Sequence, residues 1–248
     1  MLCHISGLPD YNNISKDLSK NNFSKFKRLH FSNQQYVNFI SDLKPVGKPK
    51  KQFYYSNFSY HLLCIILEDI YQMSYPELLK KKITSPLKLN NTICETENRN
   101  IIKNLATGYN YMPKENNWKK NNFIDLSLGR RIFSTTTDLL KWVQALNSNK
   151  ILTQESISLM TKNHLTNVDS NLSYGYGWVP YQNKEKFKIG DLNIDLPYII
   201  HGGSTEGYKA MLVNINKGEY IISFLSNSSL GLGGIGPPGK NNTNYNTE

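Results

Sequence analysis

A chain of 248 residues with 39% hydrophobic content is long enough to bury one large core or two small ones, and reads as a folded globular protein. The formal charge of +10 would suit a nucleic-acid binder, but the lysines are scattered singly or in short groups (Lys48 to Lys51, Lys80 to Lys82, Lys119 with Lys120). With no basic helix face and no nucleic-acid motif beside them, a nucleic-acid partner is not expected. The odd set Cys3, Cys64 and Cys94 lacks metal-type spacing, no apolar run reaches transmembrane length, and Met1-Leu2-Cys3-His4 does not open an export signal. Neither a metal, a cofactor nor a membrane span is therefore expected.

In chain order, Leu2 to Tyr11 is a turn-rich opening and the polar stretch to Lys27 reads as loop with a helical turn. Asn33 can cap a helix carrying Tyr36, Val37, Phe39, Ile40 and Leu43 at helical spacing, ended by Pro45 and Gly47. The stretch Phe53-Tyr54-Tyr55-Ser56-Asn57 leads into the strongest helix pattern, Ser59 to about Tyr71, whose leucines and isoleucines look apolar enough to require a core. This stretch has two readings: an aromatic-rich start to a core helix, or a turn that holds polar side chains at the mouth of a cleft. A second helix is expected from Tyr75 to Ile83, a loop over Leu87 to Thr92, and an irregular rim or lid from Ala106 to Trp118.

Ser134 to Asp138 is an N-cap cluster for a helix that buries Leu139, Leu140, Trp142, Val143 and Leu146, and a short helix follows over Thr153 to Met160. Beyond Leu172 the period changes to that of strands, over Tyr174 to Val179 and Tyr198 to His201. Lys209 to Ile215 and Tyr220 to Leu225 then form a hairpin around Asn216-Lys217-Gly218, with Gly218 supplying a positive φ. Helices first and antiparallel strands last predict an α/β protein of α+β type. A helical lobe over about 10–165 lies beside a sheet lobe over about 172–227, with a cleft between them and a disordered tail over 230–248.

Five segments occur in a telling order: Leu2-Cys3-His4-Ile5-Ser6-Gly7-Leu8-Pro9, Tyr55-Ser56-Asn57, Phe133 to Asp138, Tyr174 to Trp178, and His201-Gly202-Gly203-Ser204. Together they resemble the serine β-lactamase and penicillin-binding-protein superfamily, nearest its class C β-lactamase-related hydrolases, over about Leu2 to Asn227. The resemblance implies acyl transfer through a serine to or from a small-molecule or peptide substrate: a β-lactam, a D-Ala-D-Ala peptide or an ester. It makes Tyr55 the phenol that takes the serine proton, and Asn57 the carboxamide that holds both the substrate carbonyl and a lysine. His201 heads the opposite strand, Gly202 and Gly203 clear its edge for substrate, and the Ser204 N–H is an oxyanion donor. A phenol with a pKa of about 10 works as a base near neutrality only beside a cation, so the lysine partner is essential.

The family's Ser-x-x-Lys motif belongs upstream of the segment matched by Leu2 to Pro9, so the sequence reads as an N-terminally incomplete domain without nucleophile or lysine. Ser24 to Lys27, Ser41 to Lys44 and Ser85 to Lys88 match the motif formally, but all follow that first segment. The retained strands are expected to leave apolar surface uncovered. Ser59, Cys64, Gln72 and Lys88 stand where relatives usually have glycine. Two readings follow: part of a β-lactamase-related serine hydrolase, inactive as this chain, or a non-catalytic remnant or binding module that keeps the cleft. Relatives are usually exported to the periplasm or beyond.

Overall fold

The computed structural model describes residues 1–10, 31–96, 100–121, 131–181, 187–189, 192–205 and 207–229. The loop expected before Lys27 and the tail over 230–248 lie outside these residues.

The first described helix, α1, spans Asn33–Ser41, and its cap is Ser32 rather than Asn33. The Ser32 side chain accepts from the Gln35 N–H while the Gln35 side chain returns to the Ser32 N–H, a reciprocal capping box. Helix α2, Asn57–Tyr71, starts two residues earlier than the apolar period indicates, because Ser56 caps it. It also departs from the expectation of a wholly buried helix. Phe58 is fully buried against Tyr36 and Ile40 of α1, and Leu62 and Ile65 pack on that cluster, but Ile66 and Ile70 are 43% and 67% exposed. Helix α3, Tyr75–Leu79, has its own capping box at Ser74 and runs into a π-helical turn, Lys80–Thr84.

Two small ladders were not legible in the sequence. Strand β1, Ile93–Glu95, pairs antiparallel with β4, Arg131–Phe133. The segment expected to be an irregular rim contains the hairpin β2, Tyr109–Met112, and β3, Asn117–Lys120, joined by a 3-10 turn at Pro113–Glu115. Tyr109 fastens it to the end of the last strand: its N–H donates to the Asn227 carbonyl at 2.9 Å and its carbonyl accepts from the Ser229 N–H at 2.9 Å.

Helix α4, Thr136–Asn147, begins at the predicted cap cluster, with Thr135 as the capping residue. Asp138 within it is 1% exposed and accepts from the Asn91 N–H at 2.8 Å and the Thr92 hydroxyl at 2.9 Å, which binds the loop before β1 to the helix. Helix α5, Gln154–Thr161, is capped by Thr153. The strand expected over Tyr174 to Val179 is shorter and later: β5 is Val179–Tyr181. Gly177 lies at φ +75°, and the Gly175 N–H donates to the Trp178 carbonyl at 2.7 Å, so the chain turns there and cannot extend.

A two-stranded ladder of β6, Phe187–Ile189, and β7, Leu192–Ile194, precedes the main strands. These are β8, Tyr198–Thr205, β9, Tyr208–Ile215, and β10, Tyr220–Ser226. The sheet order is β10-β9-β8-β5, all antiparallel, and Gly218 takes the predicted positive φ between β9 and β10. On one face Ile200, Met211, Val213 and Ile215 are buried with Tyr174, Leu165 and Cys3. On the other, Ile199, Leu212 and Ile221 pack against Val143 and Leu146 of α4 and against Trp178. Ile222 and Phe224 lie opposite Val213 and Met211 and so share their face, yet both are exposed at the β10 edge. The fold is a mixed α/β structure with helices beside antiparallel sheet, as expected.

Of the four positions where glycine was expected in relatives, Gln72 and Lys88 adopt left-handed backbone, at φ 48° and 54°. Gln72 is the C-cap of α2. Gln72→Gly removes the Cβ penalty and is expected to raise stability by about 1 kcal/mol, measured as a higher urea midpoint with unchanged slope.

Candidate active site

The first ten residues are fastened to the start of α2 by polar contacts that bring the first two sequence motifs together. The Tyr54 N–H donates to the His4 carbonyl at 2.8 Å. The buried Ser56 hydroxyl donates to the Pro9 carbonyl at 2.7 Å and accepts from the Ser59 N–H at 3.1 Å, so one side chain both caps α2 and ties down the opening segment. Asp10 accepts from the Asn57 N–H at 2.9 Å and from its side-chain Nδ2 at 3.1 Å. One of the two amide hydrogens of Asn57 is thus directed at Asp10, which fixes the plane of the carboxamide.

Tyr55 packs into an aromatic cluster centred on His4. The His4 ring lies 4.1 Å from that of Tyr55, 5.1 Å from Tyr60 and 4.8 Å from Tyr174, centroid to centroid. His4 is 1% exposed and sits at φ 55°, an uncommon backbone for a residue with a Cβ. Its Nδ1 accepts from the Ser56 N–H at 3.1 Å and its Nε2 lies 3.1 Å from the Tyr174 hydroxyl. The same hydroxyl lies 3.0 Å from Nε2 of His201. Burial, then the proximity of His201, lowers the His4 pKa to about 3, and burial also lowers that of His201. Burial raises the Tyr174 phenol well above its ordinary value, and a charge on Tyr55 or Tyr60 would raise it further. The site is therefore built of neutral rings.

His201, Gly202, Gly203 and Ser204 lie in line on β8. The Asn216 N–H donates to the Pro197 carbonyl at 2.7 Å, which makes that pair a hydrogen-bonded rung of the β8–β9 ladder. Rungs alternate along an antiparallel ladder, so Gly203 and Thr205 turn their backbone groups to β9, while Ile200, Gly202 and Ser204 turn theirs away. Strand β5 takes up that outer edge only from Tyr198 to Ile200. Beyond Ile200, no described strand pairs with the N–H and C=O groups of Gly202 and Ser204. A Cβ added at Gly203 would meet nothing within 4 Å, so this glycine keeps open space beside the edge instead of relieving crowding.

Tyr55 and Asn57 at the start of α2 and His201 to Ser204 on β8 are thus linked through Tyr174, whose ring lies 6.4 Å from that of Tyr55 and 6.1 Å from that of His201. The serines of the described formal Ser-x-x-Lys matches lie elsewhere. Ser41 is exposed at the end of α1, with its hydroxyl on the Asn38 carbonyl, and Ser85 is exposed after the π-helical turn. Three residues of the site escaped the sequence reading: Asp10, His4 and Tyr174. The last two lie inside the quoted motifs, but nothing local to either indicates a contact spanning 170 residues. Among the described residues no cluster of His, Cys, Asp or Glu could hold a metal ion.

Comparison with known proteins places this geometry. The Beta-lactamase family model matches residues 1–234. The chain belongs to the Beta-lactamase family. It is 27% identical over 246 residues to penicillin-binding protein 4* of Bacillus subtilis, covering 92% of this chain and 50% of that protein. It is 29% identical over 143 residues to a teichoic acid D-alanine hydrolase of Staphylococcus aureus, covering 55% of this chain and 35% of that one. The chain thus spans half or less of the length of these curated relatives. Among solved structures, a D-stereospecific amidohydrolase from Streptomyces superposes with TM-score 0.75 at 18% identity, over 92% of this chain and 66% of that one. The octameric penicillin-binding-protein homologue from Pyrococcus abyssi does so with TM-score 0.73 at 25% identity, over 92% and 51%. No described helix of this Beta-lactamase family member is long and apolar enough to cross a membrane.

The lowered histidine pKa values set a pH dependence. An unfolded histidine titrates near 6.5, whereas His4 stays neutral down to about 3. Above that unfolded value both states are neutral. Below it the unfolded chain alone takes up the proton, so stability falls as pH drops from about 6.5 toward 3, by up to about 1.4 kcal/mol per pH unit per such histidine. Urea midpoints of the wild type are expected to decline between pH 7 and pH 5.5, and the decline should flatten in His4→Gln.

Proposed function

We propose that this chain carries the substrate edge and the proton-handling side of a serine acyl-transfer hydrolase. The observation that carries this reading is the outer edge of β8 at Gly202 and Ser204, which no described strand pairs, joined through Tyr174 to Tyr55 and Asn57 at the start of α2. An extended acyl donor lies along that edge, hydrogen bonding to the backbone of Gly202 and Ser204, with the open space at Gly203 giving it room. The Ser204 N–H supplies one oxyanion donor. Tyr55 receives the proton of the attacking serine, and Asn57, oriented by Asp10, presents its remaining amide groups to the substrate carbonyl.

The substrates of this reading are a β-lactam, a D-Ala-D-Ala peptide or an ester. The naming of one relative as a teichoic acid D-alanine hydrolase, and of another as a penicillin-binding protein, favours a D-alanyl group. Neither Ser41 nor Ser85 is expected to be the acylated serine, because both are exposed on elements other than the start of α2 and β8.

Two measurements test the reading. Treated with fluorescent penicillin or a fluorophosphonate, the protein is expected to carry no label on Ser41 or Ser85; label on either would overturn their exclusion from the site. A D-Ala-D-Ala peptide added to the 15N-labelled protein should shift the amide resonances of Gly202 to Ser204. Gly203→Val has open space for its side chain and should keep the wild-type urea midpoint within about 0.5 kcal/mol while weakening that binding tenfold or more. Unmoved resonances at Gly202 to Ser204 would remove the substrate edge from the reading.

A further inference from the structure

The hydrogen positions along the chain from Ser56 to His201 follow one from another. A backbone N–H can only donate, so Nδ1 of His4, 3.1 Å from the Ser56 nitrogen, is an unprotonated acceptor. A neutral imidazole with a bare Nδ1 carries its hydrogen on Nε2, and that hydrogen points at the Tyr174 oxygen 3.1 Å away. Tyr174 is 1% exposed, and its hydroxyl has two hydrogen-bond partners, His4 and His201. Since it accepts from the first, its own hydrogen goes to the second, because a buried hydroxyl hydrogen does not go without an acceptor. Nε2 of His201 is therefore an acceptor too. A neutral imidazole whose Nε2 accepts carries its hydrogen on Nδ1.

We propose that His4 and Tyr174 are positioning residues that lock His201 as the Nδ1–H tautomer, its Nε2 lone pair capped by Tyr174. Resting on the reading of β8 as the substrate edge, this assigns His201 a structural office at that edge and removes it as a base. Its one lone pair is occupied inside the protein, so proton traffic falls to Tyr55. The groups around the relay are the phenols of Tyr55, Tyr60 and Tyr174, the Cys3 thiol, the chain's terminal amine and the two imidazoles. Leu212 is the residue paired with His201 from β9.

Long-range 1H–15N correlation spectra of the full chain at pH 7 read each tautomer directly, with His201→Ala identifying the His201 cross-peaks. In the wild type at pH 7, His4 is expected as a pure Nε2–H tautomer and His201 as a pure Nδ1–H tautomer, with His4 not titrating between pH 5 and 8. Tyr174→Phe removes the donor to His201, and its two ring nitrogen resonances should move toward the averaged positions of a free histidine. A wild-type His201 carrying its hydrogen on Nε2 overturns the proposal whether or not any variant folds. So does a folded Tyr174→Phe protein whose His201 resonances stay in place. The spectra need no substrate, so a failure here leaves the acyl-transfer reading standing, and absent peptide binding leaves the relay standing.

Discussion

The Ser56 N–H lies where water does not reach, and a buried amide hydrogen left without an acceptor costs about 1–3 kcal/mol. Nδ1 of His4 is its acceptor. From this contact much of the site follows. It holds His4 neutral, since a proton on Nδ1 would face the Ser56 N–H donor to donor. It also holds the opening segment in place, because His4 is joined to α2 through its ring and to Tyr54 through its carbonyl. With the hydroxyl of Ser56 on Pro9 and the carboxylate of Asp10 on Asn57, three successive contacts stitch residues 4 to 10 onto one helix start. Tyr55 lies in the middle of that seam, its ring packed against that of His4.

How much of this was legible in the sequence depends on the range of each interaction. Helices α1, α4 and α5 announce themselves by a cap residue followed by a period of 3.6, and the β9–β10 hairpin by two apolar runs around Asn216-Lys217-Gly218. These signals lie within one or two turns of chain. Strands β1 and β4 are three residues each, far apart along the chain, and neither alternates enough to be seen alone. Helix α2 misleads in the opposite sense. Its composition indicates burial on all sides, but Ile66 and Ile70 face outward, since apolar content states what a helix can bury and the neighbouring elements determine what it does bury. Tyr55, Asn57 and His201 were chosen through motif order, and the structure brings their segments together through Tyr174. His4, Tyr174 and Asp10 act only through residues far along the chain, so no spacing rule could reveal them.

The outer edge of β8 shows how a residue without an amide hydrogen can sit beside a strand boundary. Pro180, in the middle of β5, lies opposite Ile199, whose backbone groups turn to β9. The missing N–H therefore falls at a rung that has no bond to lose, and the flanking Val179 and Tyr181 close the rungs to Ile200 and Tyr198. β5 ends there. The next outward-facing backbone groups, at Gly202 and Ser204, are left to whatever lies along the edge. A strand edge is costly to leave bare in a large apolar sheet, and here it is short, bounded by β5 on one side and the β8–β9 connection on the other.

Charge decides what such an edge can do. A phenolate at Tyr55 would form among Tyr60, Tyr174 and two imidazoles that burial keeps neutral, and the raised values of both neighbouring phenols include the repulsion that a charge on Tyr55 would exert. None of these rings offsets it. One ammonium at about 4 Å, at an effective dielectric of about 20, contributes about 4 kcal/mol, which is about three pKa units. That alone brings a phenol from about 10 to about 7, the range in which it can take a serine proton. A neutral histidine whose lone pair is capped contributes almost nothing of this. In the proposed acyl-transfer reading the chemistry at Tyr55 therefore depends on a lysine, and the proposed His4–Tyr174–His201 relay, by keeping His201 uncharged, leaves that lysine as the group that determines when Tyr55 is a base.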